Sequence, residues 1–207
     1  MKTEEDTLWG SFSLDQRIEV SAMAEVFLVH RGDDERPYIL KRPTIERRDD
    51  PTAAALFAHE QYLTTQADHP NLVKSVDSGE IKGWPYLLLE HRPGVSLVRI
   101  LAAAVQAGRR LSGVTVIHIA LQMARALKAL HATCDADGAF LSTIHMDIAP
   151  HNVLVSMNDG RVTLLDLGIA RSRRLSREVA AVHGRSAYLA PEQIVLTDPL
   201  DARVDIF

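Results

Sequence analysis

Two aspartates and an asparagine in the second half of the chain have a spacing that suits phosphoryl transfer. Asp147 and Asn152 lie five positions apart (152 − 147), so both side chains can share one short loop. One of them can then face a nucleophile while the other faces a metal ion. Asp166 follows an apolar run at 162–165 and precedes Gly168, where its carboxylate can hold Mg²⁺ against phosphate groups. Because the barrier to phosphoryl transfer falls mainly through positioning and charge neutralisation, these three side chains indicate that chemistry.

The segments around these residues resemble two motifs of the protein kinase family. The stretch from His145 to Asn152 is similar to H-R-D-L-x-x-x-N, and Asp166-Leu167-Gly168 is similar to D-F-G. Five further segments resemble the same family, in the order in which it carries them: Tyr38-Ile39-Leu40-Lys41, His69-Pro70-Asn71-Leu72-Val73, Glu90-His91-Arg92, Gly184 to Glu192, and Asp205-Ile206-Phe207. The resemblance spans residues 18–207.

The resemblance implies an ATP- and Mg²⁺-dependent protein kinase that phosphorylates serine or threonine hydroxyls of protein substrates. In that family, the residue at the position of Asp147 orients the acceptor hydroxyl and accepts its proton, while those at Asn152 and Asp166 hold Mg²⁺. Lys41 stands where the family's lysine contacts the ATP phosphates, and its expected partner Glu60 lies 19 residues on (60 − 41). The resemblance also implies further nucleotide-binding residues: Ile18, Ser21, Ala22, Val26, Ile39, Glu90 and Arg92.

The implied fold is α+β, with the two-lobed arrangement of protein kinases. Residues 12–90 are expected to form a small β-rich lobe with one helix, preceded by an extension at 1–11. Residues 91–207 are expected to form part of a mainly helical lobe, up to the start of its central helix. The local pattern agrees with this division, because β-rich runs give way to helical periodicity near residues 90–95.

Individual elements are predicted from apolar periodicity and from turn residues. Strands are expected at 14–20, 24–30, from 38–41 to near Pro43, and at 72–76, 86–89, 153–156 and 162–165. Helices are expected at 51–66, 96–107 and 114–131. The apolar residues of the last helix spread beyond one stripe, which predicts burial on more than one side. A polar segment at 171–186 follows.

The expected nucleotide loop departs from the family at its tip. A group of bacterial serine/threonine kinases that this chain further resembles has the loop I-A-V-G-G-M-A-E-V-F, whereas residues 18–27 here contain no glycine. Ser21 and Ala22 stand at the two glycine positions, and Glu19 adds a carboxylate near an anionic ligand. Since glycine lets backbone N–H groups close over phosphates, we expect weaker nucleotide binding. The alternative is an ordinary β-turn that never touches phosphate.

A second departure concerns activation. Met146 replaces the arginine that clamps an activation-segment phosphate in many kinases, so the resemblance implies a site that forms without that phosphorylation. Ser172 and Ser176 are weaker candidates for a phosphorylation switch. They lie in a short basic stretch, whose arginines are Arg171, Arg173, Arg174 and Arg177.

Other departures lie on the substrate side. Ala149 replaces the lysine or serine usual in the family, and Arg185 stands where many serine/threonine kinases have threonine, so acceptor preference is open. Alanine also occurs at the first position in tyrosine kinases, but Pro150 and His151 favour serine or threonine acceptors. Leu167 in place of phenylalanine is an apolar exchange that a core tolerates.

Composition excludes several classes of protein. The net charge is −4 and the pI is near 6.1, so no broad basic surface is expected for nucleic acid. Cys134 is the only cysteine, which excludes an internal disulfide and a cysteine-built zinc site. Neither a signal peptide nor an uninterrupted apolar run of about 18 residues is evident, so we expect a cytoplasmic chain without a membrane segment.

Two other functions fit parts of the pattern. A pseudokinase, or inactive kinase fragment, would act as a nucleotide- or protein-binding regulatory module; the missing loop glycines favour it, whereas retention of Lys41 and Asp166 opposes it. A small-molecule phosphotransferase of the aminoglycoside type is not expected to carry Ala190-Pro191-Glu192 together with Asp205.

Because the family's large lobe continues with several helices beyond the position of Phe207, we expect these 207 residues to be marginally stable alone.

Overall fold

The computed structural model describes residues 8–32, 34–168, 170–172, 186–195 and 200–207. These residues fall into two compact units. One unit is formed by the described residues within Met1–Gln61 and Lys74–His91, and the other by those within Tyr62–Val73 and Arg92–Phe207. The first unit is built mainly of strands, and the second contains most of the helices.

A six-stranded antiparallel sheet forms the first unit. Its strands run in the order β1-β2-β3-β4-β6-β5 and have the following bounds: β1 (Leu8–Trp9), β2 (Phe12–Val20), β3 (Ala24–Arg31), β4 (Asp34–Pro43), β5 (Ser75–Ile81) and β6 (Trp84–Glu90). Along β3, buried Phe27 and Val29 alternate with less buried neighbours, as the two-residue period of a strand requires. The register therefore separates a core face from a second face that carries Lys41.

The core of the first unit is aromatic. Its buried members are Phe12, Phe27, Val29, Tyr38, Leu40, Tyr86 and Leu88. Trp9 of the short β1 strand meets the Tyr86 ring edge-on, with 5.8 Å between the centroids. The Arg42 guanidinium lies 4.3 Å from the centroid of the Trp84 ring and forms an ion pair with Glu25 at 3.1 Å. These contacts lie on the aromatic core face of β4. The preceding side chain, Lys41, therefore lies on the opposite face of the sheet.

Helix α1 (Pro51–Gln66) follows β4 after a short 3₁₀ turn at Ile45–Arg47. Its start is stabilised by Asp50, whose Oδ1 accepts hydrogen bonds from the backbone N–H of Thr52 at 2.9 Å and of Ala53 at 3.4 Å. A hydrogen bond from Arg47 is the main reason that the pKa of Asp50 is lowered. The helix places Glu60 on its buried side.

The described part of the second unit contains a three-stranded antiparallel sheet and three further helices. The strands pair in the order β7 (Val95–Ser96), β8 (Val153–Val155), β9 (Val162–Leu164). The helices are α2 (Leu97–Gln106), α3 (Gly113–His131) and α4 (Pro191–Ile194), and 3₁₀ turns lie at Pro150–Asn152, Ser186–Tyr188 and Ala202–Ile206. The main core cluster packs α3 and β9 against the end of α1 and the connecting segments, and its buried members are Leu63, Ala67, Leu72, Ala126, Leu127, Leu130, Leu141, Leu164, Leu167 and Ala170.

Two side-chain amides fix strand β9 at the base of this unit. Asn71 Nδ2 donates to the carbonyl of Val162 at 2.7 Å and to Gln122 Oε1 at 2.8 Å. The same Gln122 oxygen accepts the backbone N–H of Val162 at 3.0 Å. Because β9 leads directly into Asp166, this network determines where the loop carrying Asp166 begins.

Helix α3 buries one face and exposes another. Ile119, Ala126, Leu127 and Leu130 are buried, whereas Val114, Ile117 and Leu121 are 80%, 69% and 50% exposed. In the described part of the chain, the expected burial on more than one side is therefore wrong. This helix is also long and apolar enough to pass a composition test for a membrane span, which is weak evidence because core helices pass it too.

The strand expected at 72–76 is wrong in its first half. Leu72 forms only an isolated parallel bridge with Leu164, and β5 begins at Ser75. The backbone N–H of Val73 donates to the carbonyl of Leu164 at 3.0 Å, so this apolar run joins the core of the second unit. A short apolar run does not reveal by itself which partner it pairs with.

Candidate active site

Lys41 and Glu60 form a buried ion pair in the first unit. Lys41 lies on β4 between β3 and β6, opposite Val26 and Leu87. Its Nζ donates to Glu60 Oε1 at 2.6 Å, and the two side chains are only 11% and 5% exposed. The spacing of 19 residues therefore brings these side chains together, as the sequence predicts. A charge-assisted hydrogen bond of this length holds the ammonium group in one place.

The sheet face around Lys41 is apolar. The register of β3, β4 and β6 places Val26 and Ile39 on this face, together with buried Leu87 and Leu89. An apolar strip beside a fixed ammonium group suits a flat, weakly polar ring next to an anionic group. Of the predicted nucleotide-binding residues on the strands, Ile18 lies outside this strip, on β2, and is 51% exposed.

The β2–β3 turn is closed by the side chain of Ser21. Ser21 Oγ accepts hydrogen bonds from the backbone N–H groups of Met23 at 3.2 Å and Ala24 at 3.0 Å. The Ser21 backbone N–H donates to the carbonyl of Ala24 at 2.9 Å. Ala22 lies exposed at the turn. The turn is thus a tight hairpin formed without glycine.

The segment from Glu90 to Arg92 follows strand β6. The Glu90 backbone N–H donates to the carbonyl of Lys74 at 3.0 Å. In the second unit, Arg92 Nη1 donates to the carbonyl of Pro70 at 2.6 Å. Burial lowers the pKa of His91, so its imidazole stays neutral over a wider pH range than usual.

Asp147 and Asn152 are joined directly in the second unit. The 3₁₀ turn at Pro150–Asn152 places the Asn152 amide beside Asp147, where Nδ2 donates to Asp147 Oδ2 and to the Asp147 carbonyl, both at 2.9 Å. Both bonds use the amide nitrogen, so the amide oxygen of Asn152 is the atom that can ligate a cation. His151 Nε2 lies 3.7 Å from Asp147 Oδ2.

His145 connects this loop to the one that carries Asp166. The Asp147 backbone N–H donates to His145 Nδ1 at 3.3 Å, so Nδ1 is an acceptor and Nε2 carries the hydrogen. Nε2–H then donates to the carbonyl of Leu165 at 3.0 Å. Asp166 has a positive φ of 60°, and its Oδ1 accepts the Gly168 N–H at 2.9 Å. The fully buried imidazole thus ties Asp147 to the residue preceding Asp166.

Met146 adopts a left-handed backbone conformation that two distant residues stabilise. Its φ is 72°, which costs a non-glycine residue roughly 1–2 kcal/mol. Its N–H donates to Asp205 Oδ1 at 2.9 Å, and its carbonyl accepts from Gln193 Nε2 at 3.0 Å. The Met146 side chain is buried against Ile144, Ala190 and Val204.

Two further residues support this loop: Gln193, which the sequence predictions did not include, and Asp205, which they included only as part of the segment expected to begin the central helix. The other Asp205 oxygen accepts the His145 N–H at 2.8 Å and pairs with His131 Nε2 at 2.7 Å. Gln193 Oε1 accepts the N–H of Ala190 at 2.9 Å. A signal for Gln193 was present, because glutamine at the third position of a helix that begins with proline commonly caps that helix. No pattern in the sequence shows that the Asp205 side chain bonds the backbone of His145 and Met146.

Several residues named in the predictions for the basic stretch, the phosphorylation switch and the activation segment lie outside the described part of the chain. These are Ser176, Arg173, Arg174, Arg177, Arg185 and Gly184. Leu167 is described, and its burial in the core of the second unit agrees with an apolar role.

Comparison with known proteins identifies the family to which this chain is similar. A family model of the protein kinase domain matches residues 13–207. The tyrosine-protein kinase MasK of Myxococcus xanthus is 30% identical over 204 residues, covering 96% of this chain and 31% of MasK. A probable serine/threonine-protein kinase of Streptomyces coelicolor is 29% identical over 208 aligned residues, covering 97% of this chain and 29% of the relative. PknB of Mycobacterium tuberculosis, named as a serine/threonine-protein kinase, is 28% identical, covering 95% and 30%.

The chain spans about a third or less of the length of these curated relatives. Among solved structures, the kinase domain of Mycobacterium tuberculosis PknI matches with a TM-score of 0.67 at 24% identity, covering 96% of this chain and 70% of that one. At this identity the likeness shows the fold, which confirms the expected α+β, protein kinase-like class. Since the family model covers far more than half of the sequence, the chain belongs to the protein kinase family.

Proposed function

We propose that this chain carries an ATP- and Mg²⁺-dependent protein kinase activity with serine and threonine acceptors. The observation that carries the proposal is the contact between Asn152 Nδ2 and Asp147 Oδ2 at 2.9 Å. It orients one carboxylate toward a hydroxyl acceptor and presents an amide oxygen to a cation. Removal of a hydroxyl proton and metal binding are the two tasks that phosphoryl transfer assigns to such a loop.

The residues present fit a magnesium nucleotide. The amide oxygen of Asn152 and the carboxylate of Asp166 are hard oxygen ligands of the kind that Mg²⁺ prefers. Lys41, held by Glu60, supplies a fixed positive charge for phosphate oxygens. When bound, the magnesium nucleotide supplies the phosphoryl group and neutralises part of its negative charge.

In this proposal each side chain has a distinct task. Asp147 orients the acceptor hydroxyl and accepts its proton, while His145 holds the Asp147 backbone in register with Leu165. Val26 and Ile39 pack against the adenine ring beside Lys41. Backbone groups of Glu90 and Arg92 bind the adenine edge.

The activity is tested by phosphotransfer from labelled ATP to a generic basic protein. Asp147→Asn and Asp166→Asn are each expected to reduce the rate by at least about 100-fold, because each removes a group that acts in the transition state. Asp159→Asn is the matched control, since Asp159 is an exposed carboxylate in the same unit whose contacts are with the nearby Ser156 and Arg161. Equal residual signal in the wild type, Asp147→Asn and Asp166→Asn would refute the catalytic proposal.

Tyrosine acceptors are the second candidate. The relative named as a tyrosine-protein kinase favours them, as does Ala149, whereas Pro150 and the two relatives named as serine/threonine-protein kinases favour serine and threonine. Phosphoamino-acid analysis of a labelled substrate separates the two. Phosphotyrosine alone would overturn the serine/threonine assignment and leave the kinase activity intact.

A pseudokinase module is the remaining alternative. It predicts nucleotide-dependent thermal stabilisation of the wild type without any phosphotransfer above that of Asp147→Asn. Turnover that depends on Asp147 would exclude it.

A further inference from the structure

The hydroxyl of Ser21 is fully engaged inside the β2–β3 turn. It accepts two backbone hydrogen bonds, from Met23 and Ala24, and donates one to the Ala24 carbonyl at 3.1 Å. The backbone N–H of Ser21 donates to the same carbonyl. One serine side chain therefore satisfies the amide groups of the two residues that follow the tip of the turn.

The turn is also fastened to the adjacent strand. The backbone N–H of Thr44, just beyond the end of β4, donates to the Met23 carbonyl at 3.2 Å, and Thr44 itself is buried. Ala24 is 5% exposed, so the second half of the turn is held in place. The turn has its hydrogen bonds made before any ligand arrives.

These amide groups belong to the loop segment that, in protein kinases, closes over the nucleotide phosphates with backbone N–H groups. The Ser21 hydroxyl oxygen already accepts hydrogen bonds from two of these N–H groups. A glycine at position 21 would leave these groups to the ligand, whereas serine provides an acceptor within the protein. The Ser21 hydroxyl can therefore compete with a phosphate oxygen for the N–H groups of Met23 and Ala24.

We propose that the Ser21 hydroxyl substitutes for a nucleotide phosphate oxygen at the amides of Met23 and Ala24, and so sets a low preference for ATP over adenosine. This inference rests on the proposed function, since it assumes that the loop lies over a nucleotide. A phosphate oxygen must first displace the hydroxyl, which gives back part of the hydrogen-bond energy gained. Adenosine, which has no phosphate, is bound without that loss.

The test compares the affinities of Mg-ATP and adenosine for the 207-residue chain by isothermal titration calorimetry. Ser21→Ala keeps the Cβ and removes the oxygen, so it separates competition by the hydroxyl from the steric effect of a side chain. We expect Ser21→Ala to bind Mg-ATP about three- to tenfold more tightly, the range that corresponds to one net hydrogen bond. Adenosine affinity is expected to stay unchanged.

Two control variants sharpen this experiment. Ser13→Ala removes a hydroxyl from the same strand, where Ser13 Oγ bonds only to the nearby Asp15, and is expected to leave both affinities unchanged. Ser21→Thr keeps the hydroxyl and is expected to retain the wild-type ratio of the two affinities. Unchanged or weaker Mg-ATP binding by Ser21→Ala, beside normal adenosine binding, would overturn the inference.

A ligand-free measurement distinguishes failure of this inference from failure of the proposed function. Amide hydrogen exchange followed by NMR is expected to show protection at Met23 and Ala24 in the wild type and its loss in Ser21→Ala. Equal exchange in both proteins would overturn the inference whatever the nucleotide affinity. If protection is lost as expected but neither protein binds adenine nucleotides, the proposed function fails, and with it the role assigned to Ser21.

Discussion

For the buried ion pair between Lys41 and Glu60, we expect a larger loss in the free energy of unfolding when one partner is replaced than when both are replaced. We expect Lys41→Met and Glu60→Leu each to destabilise the chain by about 3 kcal/mol, because each removes one partner of a buried ion pair. The double variant is expected to recover most of that loss, since two apolar side chains need no partner. Urea denaturation measures the free energy of unfolding of all three variants.

Activity is expected to follow a different pattern from stability. The double variant lacks the ammonium group for phosphate oxygens, so its phosphotransfer should be as low as that of Lys41→Met. Additive destabilisation in the double variant would contradict a coupled pair. Recovery of activity together with stability would contradict the role proposed for Lys41.

Sequence reasoning at the scale of single residues succeeded where spacing encodes contact. The 19-residue separation of Lys41 and Glu60 and the five-residue separation of Asp147 and Asn152 both correspond to direct hydrogen bonds. It failed for Ser21, because it treated serine as a glycine with an added Cβ. The hydroxyl's capacity to bond the backbone two and three residues ahead, a known property of serine in turns, was the signal it omitted.

At the scale of elements, Gln193 connects helix α4 to the loop from His145 to Asn152. Its side chain is buried and bonds both the Ala190 N–H and the Met146 carbonyl. Gln193→Leu keeps the volume and removes both bonds, so we expect a destabilisation of about 2 kcal/mol from the unsatisfied groups. We also expect slower phosphotransfer, because the left-handed conformation of Met146 loses one of its two supports.

A neighbouring position on the same helix provides the control. Ile194 is 62% exposed, and Ile194→Ala is expected to leave both stability and phosphotransfer nearly unchanged. Chemical denaturation and a steady-state kinase assay on both variants make the comparison. If Gln193→Leu unfolds at the same urea concentration as the wild type, the coupling is absent.

The segment after β6 makes stability depend on pH through His91. Burial holds the pKa of His91 below its ordinary value of 6.5, so the unfolded chain takes up this proton more readily than the folded chain does. Stability is therefore expected to fall as the pH drops below 6.5, toward the lower pKa of the folded state. Replacing His91 by glutamine removes this contribution, so the variant should lose less stability on acidification.

The comparison uses urea midpoints of the wild type and His91→Gln at about pH 7.5 and about pH 5.5, on either side of the unfolded-state pKa of histidine. Other histidines contribute equally to both proteins, so the difference isolates His91. Parallel pH dependence in the two proteins would show that burial does not affect this imidazole.

Long elements with strong periodicity were predictable, and short ones were not. Helix α1 has the expected bounds, α2 is one residue shorter than expected at each end, and α3 begins one residue earlier than expected. The two-residue strands β1 and β7 were missed, since two residues show no period. The run from Leu72 was expected to begin a strand and does not, because apolar content alone does not distinguish a strand from a core contact.

At the scale of the whole molecule, the exposed apolar face of α3 predicts the behaviour of the 207-residue chain. Val114, Ile117 and Leu121 lie on one face of α3 and are exposed to water. We expect the purified chain to bind a hydrophobic dye, because contiguous apolar patches favour association.

Substitution on that face tests the prediction. Ile117→Lys with Leu121→Lys is expected to reduce dye fluorescence severalfold, whereas a lysine introduced at exposed Thr115 should have little effect. A purified monomer that binds no dye would contradict the prediction.

The backbone contacts of Asp205 have a consequence for the timing of synthesis. This carboxylate anchors His145 and Met146, yet it follows Asp147 by 58 positions (205 − 147). A ribosome adding roughly 5–20 residues per second makes the loop about 3–12 seconds before its anchor. A nascent chain therefore carries the loop from His145 to Asn152 with its backbone still unfastened until translation has passed Asp205.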